Sequence, residues 1–144
     1  MVLRAESIQA RLLKLEEVVS ELEELRRLGE ESFRTRRAQM WSLERGLQLG
    51  AEILLDIGTH ILSAQYGISP TDYKDILEQL AEQGILDESL RERLKGVAGF
   101  RNILVHDYIR LDPDKVLAVF AQAPADFSDF ALAIRDWLAG RPTP

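Results

Sequence analysis

The architecture is set by residues 33–66, which read FRTRRAQMWSLERGLQLGAEILLDIGTHILSAQY. Apolar side chains recur every seven residues along this run, at Met40, Leu47, Leu54 and Ile61. The spacing predicts one amphipathic helix, roughly 50 Å long at about 1.5 Å per residue. Gly67 and Pro70 predict its end, because glycine caps helices and proline resists their continuation. Three glycines inside the run predict either close approach of a neighbouring helix or a kink: Gly46, Gly50 and Gly58.

The rest of the chain has the same three- and four-residue apolar spacing, which predicts helices over 5–29, 71–83, about 88–106 and about 113–138. Asp87 and Asp112-Pro113 are start signals for the last two helices, and Pro124 predicts a kink or a break in the final one. No segment has a strand pattern. We therefore expect an all-α fold, an antiparallel up-and-down bundle of four to five helices. We expect one domain over residues 1–139 and a flexible tail over 140–144.

Composition narrows the class of protein. The chain of 144 residues contains no cysteine, which excludes disulfides and thiolate metal sites. No apolar run approaches the roughly 20 residues of a membrane span, and no secretory signal pattern precedes the first helix. The expectation is a cytoplasmic protein without membrane contact.

Charge is distributed unevenly along the chain. The formal net charge is −6, which alone argues against binding nucleic acid. Residues 91–110 nevertheless carry five basic groups against two acidic ones: Arg91, Arg93, Lys95, Arg101 and Arg110 against Glu92 and Asp107. A local basic segment can attract phosphate even when the whole chain is acidic.

Within this basic segment lie Arg101, His106 and Tyr108, residue types that suit RNA cleavage. A ribose 2′-hydroxyl that attacks the adjacent phosphate needs a proton shuttle, and histidine serves as one near neutral pH. The arginine fork matches the phosphate oxygens as their charge grows, and tyrosine can bond a phosphate or stack on a base. On an ideal helix His106 lies about 140° from Arg101. Convergence therefore requires the helix to end near His106 or a second chain to complete the site.

The string Arg101-Asn102-Ile103-Leu104-Val105-His106-Asp107-Tyr108 resembles the R-x-x-x-x-H-x-Y signature of HepT-like toxins, a branch of the HEPN superfamily. Asn102 fits the polar residue usual after the arginine. The likeness extends to the long second helix and to the entry into the last helix, residues 109–116, and Pro124 is a local departure from it.

The resemblance implies a homodimer in which two motifs face each other across a cleft. It implies a metal-independent endoribonuclease without a cofactor, in which Arg101 and His106 are the catalytic pair and Asn102 supports the site. It also implies a minimal nucleotidyltransferase antitoxin as partner, which silences the toxin by transferring AMP to Tyr108. Two other interpretations stay open at this stage: a noncatalytic HEPN module that binds nucleotide, RNA or a nucleotidyltransferase, and a purely structural helical dimerisation protein.

Several other polar and aromatic residues lie outside this motif. His60 fits a half-buried helix position or, alternatively, the lining of a cleft. Trp41 and Trp137 fit core or interface positions better than base-stacking platforms. An arginine cluster either extends a phosphate track or forms a solvated helix start: Arg34, Arg36, Arg37 and Arg45.

Overall fold

The structure is a computed structural model and describes residues 2–140. Within that range the chain forms six α-helices and one short 3₁₀ turn, with no strand: α1 Ala5–Arg26, α2 Glu30–Thr35, α3 Arg37–Tyr66, α4 Tyr73–Glu82, α5 Glu88–His106, the 3₁₀ turn Tyr108–Arg110, and α6 Pro113–Ala139. The all-α helical bundle predicted from the apolar spacing is confirmed. Of the predicted tail 140–144, residues 141–144 lie outside the described residues.

Local signals in the sequence mark the end of α3 and the starts of α5 and α6. α3 ends at Gly67, whose φ of 65° is left-handed, and the amide of Ile68 donates to the carbonyl of Leu62 at 2.9 Å. α5 starts at the Asp87 cap, whose side chain accepts from the amide of Leu90 at 2.7 Å. α6 starts at Asp112, whose carboxylate accepts from the amide of Asp114 at 3.0 Å.

Two features differ from the prediction. The long helix begins at Arg37 and not at residue 33, because the preceding residues form the separate helix α2. α2 is anchored by Phe33, which is buried and meets the ring of Phe120 edge-on with centroids 5.8 Å apart. Pro124 neither ends nor splits α6, which continues from Pro113 to Ala139. Pro124 is buried in the core, where packing of α6 outweighs the loss of one backbone hydrogen bond.

α3 is the central helix, and it contacts α1, α4, α5 and α6. The glycines of α3 allow neighbouring helices to approach closely, which is one of the two alternatives predicted for them. A Cβ atom on Gly50 would lie 2.4 Å from the Phe127 ring, and one on Gly58 would lie 2.6 Å from Ile76. Phe127 is fully buried, a burial that contributes about 1.5–3 kcal/mol for such a side chain.

α6 is apolar enough to pass a test for a membrane helix on length and composition, with a mean hydropathy of 1.3 over its most apolar window. Half of that window is buried inside the bundle. Phe127, Phe130 and Ile134 have no exposed surface, so the apolar composition of α6 is used in the core of this fold.

Candidate functional site

Arg101 lies on α5 with its side chain 29% exposed, held between two neighbours. Its Nη1 donates to Oδ1 of Asn102 at 3.0 Å, and its Nε lies 3.8 Å from Oε1 of Glu52 on α3. Glu52 is in turn fixed by Gln48, whose Nε2 donates to the same oxygen at 3.1 Å. The guanidinium is therefore oriented by α3 and by its own helix, and is not free to sweep through solvent.

The Nε atom of Arg101 is buried and has no hydrogen-bond partner among the described residues. The 3.8 Å to Glu52 is an ion-pair distance and exceeds the range of an N–H···O hydrogen bond. A buried donor without a partner costs about 1–3 kcal/mol. Because Nε itself is buried, an anionic oxygen can approach only the exposed part of this positioned cation, whose side chain is 29% exposed.

His106 and Tyr108 lie at the other end of the motif. α5 continues without interruption through His106, its last residue, and then the backbone turns at Asp107, with φ −141° and ψ 42°. His106 is exposed, and Tyr108 opens the 3₁₀ turn with 69% of its surface exposed. Asp107 pairs with Arg110 across this turn at 3.4 Å.

The structure therefore joins Arg101 to Asn102 and does not join His106 or Tyr108 to Arg101, although Asn102 and His106, four positions apart on α5, share one face of that helix. Within residues 2–140 of one protomer, no hydrogen bond or ion pair joins His106 or Tyr108 to Arg101. Five residues of regular helix separate Arg101 from His106 by about 7.5 Å along the axis and about 140° around it. Tyr108 lies beyond the end of α5, in the 3₁₀ turn, so helical periodicity does not relate its position to that of Arg101.

A pocket of about 570 Å³ opens beside Arg101 and Asn102. It lies between α3, the segment that leads into α4, and α5. Leu55 and Ile76 contribute apolar surface, and hydroxyl groups dominate the remaining lining: Thr59, Ser63, Ser69, Thr71 and Tyr73. Its size is in the range of pockets that hold small molecules or single nucleotides.

Glu52 is the residue near the motif that the sequence did not reveal. It stands 49 positions before Arg101, and only folding brings the two together. One signal was available, since Glu52 is the one acidic residue in the otherwise apolar run 49–55. A charge in such a run commonly has a partner, because an unpaired charge near the core is costly.

The remaining predicted residues lie elsewhere. The Nε2 atom of His60 accepts the backbone amide of Arg4 at 3.3 Å, which supports the half-buried structural role over cleft lining. Arg34 pairs with Asp114 at 2.5 Å and so ties α2 to the start of α6. Trp137 donates to the hydroxyl of Tyr66 at 3.2 Å, whereas Trp41 is 63% exposed.

A second charged cluster joins α5 to α6 away from the motif. Arg93 contacts the carboxylates of Asp126 at 2.8 Å and Asp129 at 3.0 Å. Asp126 is the buried member, and desolvation raises the pKa of its carboxyl above the ordinary value, an effect that Arg93 partly offsets. Over the described range, no group of three or more histidine or acidic side chains is placed to hold a metal ion.

The amino-acid sequence matches a known protein family and several of its members. The family model described as "Ribonuclease HepT-like" matches residues 15–134. The mRNA nuclease HepT of Shewanella oneidensis is 35% identical over 89 residues, which cover 62% of this chain and 67% of that protein. The tRNA nuclease HepT of Aphanizomenon flos-aquae is 28% identical over 132 residues, 91% of this chain and 89% of that protein.

Among solved structures, the tri-AMPylated HEPN toxin of Shewanella oneidensis in complex with its MNT antitoxin superposes with a TM-score of 0.81. The identity is 26%, and the match covers 90% of this chain and 96% of that one.

Proposed function

Since this chain belongs to the HepT-like ribonuclease family, we propose that it cuts RNA as the toxin of a toxin–antitoxin pair, with Arg101 and His106 as its catalytic residues. The observation that carries the proposal is Arg101 itself: a guanidinium oriented by Asn102 and Glu52, on a side chain that stays 29% exposed and can therefore meet an anionic ligand from solvent. A phosphate oxygen is the ligand that matches such a group.

The proposed reaction needs only groups of the chain and of the RNA. The ribose 2′-oxygen attacks the adjacent phosphorus, and its proton passes to His106. The bond from phosphorus to the 5′-oxygen of the next nucleotide breaks, and that oxygen takes up a proton from the imidazolium. A cyclic 2′,3′-phosphate and a 5′-hydroxyl result. Arg101 stabilises the negative charge that builds on the phosphate oxygens during attack.

We further propose that a second copy of the chain completes the site. His106 and Arg101 diverge by about 140° on one regular helix, and among residues 2–140 of one protomer no hydrogen bond joins them. A homodimer in which the ends of the two α5 helices meet would place the His106 of one copy beside the Arg101 of the other. The exposure of His106 and Tyr108 is compatible with such a surface.

The partner we propose is a nucleotidyltransferase antitoxin that attaches AMP to Tyr108. Support comes from the AMPylated relative in complex with its antitoxin, and from exposure. Of the three tyrosines, Tyr108 is 69% exposed, whereas Tyr66 and Tyr73 are partly buried in the bundle. In the proposed dimer, a phosphate added to Tyr108 would compete with RNA for the shared site that contains Arg101.

The decisive experiment compares cleavage of a defined RNA by the wild type and His106→Ala, with EDTA present throughout. Removing a general acid–base group should lower the rate by about 10²–10⁴-fold, and a 2′-deoxy sugar at the cut position should block cleavage. The control is His60→Gln, which alters the other histidine while retaining a hydrogen-bond acceptor for Arg4.

Two outcomes would contradict the mechanism: wild-type activity in a folded His106→Ala, or cleavage of the deoxy substrate at the normal rate. Tight RNA binding by a wild type that never cleaves would instead favour the noncatalytic binding module. Light scattering that shows a monomer at micromolar concentration would contradict the shared site.

A further inference from the structure

We propose that the pocket beside Arg101 is the subsite that holds the nucleoside next to the cleaved phosphate, and that Asp72 at its rim favours bases with an exocyclic amino group. This inference rests on the proposed function, because it assumes that Arg101 binds an RNA phosphate.

The pocket lies directly beside the arginine that is proposed to bind phosphate. Arg101 and Asn102 form one edge of the pocket, so a phosphate on Arg101 places its attached sugar and base at the pocket mouth. The volume of about 570 Å³ is sufficient for one nucleoside with some water. Leu55 and Ile76 offer an apolar surface to the face of a base.

The lining of the pocket is rich in hydroxyl groups. Thr59 and Thr71 are exposed, and the pocket contains five hydroxyl groups, which can donate to or accept from ribose and base edges. Two of these hydroxyls are committed in part: Ser63 donates to the carbonyl of Ile68 at 3.3 Å, and Thr71 donates to the carboxylate of Asp75 at 3.4 Å. A hydroxyl-rich lining without a basic side chain other than Arg101 fits a neutral sugar and base better than a second phosphate.

The start of α4 does not offer free amides to an anion. Asp72 accepts from the amide of Asp75 at 2.8 Å, and Asp75 accepts from the amide of Thr71 at 3.0 Å. These amides are therefore already satisfied by carboxylates, and the local charge is negative. A phosphate is repelled here, whereas the amino groups of adenine, cytosine and guanine are attracted to the rim carboxylate of Asp72.

Tyr73 connects this wall to the motif helix. A Cβ on Gly99 would lie 3.1 Å from the Tyr73 hydroxyl, so the absence of a side chain at Gly99 lets this ring pack against α5. Gly99 stands two positions before Arg101. The pocket wall and the phosphate-binding arginine are thereby held in a fixed relation.

The test fills the pocket without touching the catalytic pair. In Thr59→Trp, an exposed threonine of α3 becomes a ring that occupies the nucleoside space. Ser128→Trp is the control, since Ser128 is an exposed hydroxyl residue on α6 outside the pocket. Asp72→Asn is the selectivity variant, because asparagine caps a helix as well as aspartate but carries no charge.

Two measurements are made on every protein. The first is the Kd for four oligonucleotides that carry an uncleavable 2′-deoxy sugar at the target position and differ only in the base there. The second is the KM and kcat for the four matching RNAs. Thr59→Trp should raise Kd and KM about tenfold, in line with the loss of one base contact, while kcat changes little. Ser128→Trp should match the wild type. Asp72→Asn should bind uracil and the amino-bearing bases alike, whereas the wild type prefers the latter.

Equal Kd values for Thr59→Trp and Ser128→Trp would overturn the subsite, and an unchanged base preference in Asp72→Asn would overturn the role of Asp72. The binding arm separates this inference from the proposed function. A wild type that binds the oligonucleotides through the pocket but does not cleave would refute the nuclease and support the subsite. A wild type that cleaves RNA, combined with a Thr59→Trp variant whose KM and Kd are unchanged, would support the nuclease and refute the subsite.

Discussion

Replacing Gly50 by alanine should destabilise the bundle, although alanine is the better helix former. The new Cβ would lie 2.4 Å and 2.7 Å from two atoms of the Phe127 ring, where no real methyl group fits. Phe127 is fully buried, so the ring cannot move aside into solvent. Overpacking of this kind costs about 1–3 kcal/mol, and the gain in helix propensity offsets up to about 1 kcal/mol. We expect a net loss of up to about 2 kcal/mol against the wild type, and of about 1–3 kcal/mol against an alanine at an open helix position.

Gly96→Ala is the matched control. Gly96 lies within α5, and a Cβ there would meet nothing within 4 Å. Only helix propensity changes, so this variant should gain about 0.5–1 kcal/mol. Urea unfolding followed by far-ultraviolet circular dichroism gives both values, at one protein concentration because dimerisation would add to stability. A Gly50→Ala variant as stable as Gly96→Ala would refute the close approach of α3 and α6 at Phe127.

Three further predictions concern charge and modification. Arg101→Lys should lower RNA cleavage by about 10²-fold because an ammonium lacks the planar fork, whereas Arg110→Lys on the exposed turn should cleave normally; equal rates would contradict the role of the fork. Tyr108→Phe should fold but accept no AMP from the antitoxin, measured as incorporated label; labelling at the wild-type level would move the assignment to another residue. For Asp126, burial raises the pKa, so the folded chain binds this proton more tightly than the unfolded chain and loses stability as pH rises through the raised pKa. Asp126→Asn cannot ionise, so its urea midpoint relative to wild type should rise as the pH increases above the ordinary aspartate pKa of about 4, and a constant difference would contradict the shift.

The helices could be predicted because their determinants are local. Apolar spacing gives α1, α3 and α5, and the capping residues Asp87 and Asp112 give two of the starts. α2 could not be separated from α3 in this way. Six residues are too few for an isolated helix, and α2 depends on Phe33 packing against Phe120 from the far end of the chain.

The candidate site was likewise predictable only where its residues are close in sequence. The motif Arg101 to Tyr108 is contiguous, so its spacing could be recognised in the sequence. The Glu52 contact, the pocket and the capped start of α4 depend on segments that meet only in three dimensions. The continuity of α6 through Pro124 is likewise a tertiary result, since the local signal favours a break.

The contact between α1 and α6 has a consequence for synthesis on the ribosome. These helices pack together although nearly the whole chain separates them, and Arg135 of α6 pairs with Glu16 of α1 at 2.5 Å. At about 5–20 residues per second, translation of the 27 residues of α6 takes about 1–5 s. Until then the nascent chain lacks Phe127 and Phe130 in its core, and α5 lacks one of its supports. A transcript truncated before α6 would therefore yield a chain with exposed apolar surface, a substrate for chaperones and proteases, before any nuclease could form.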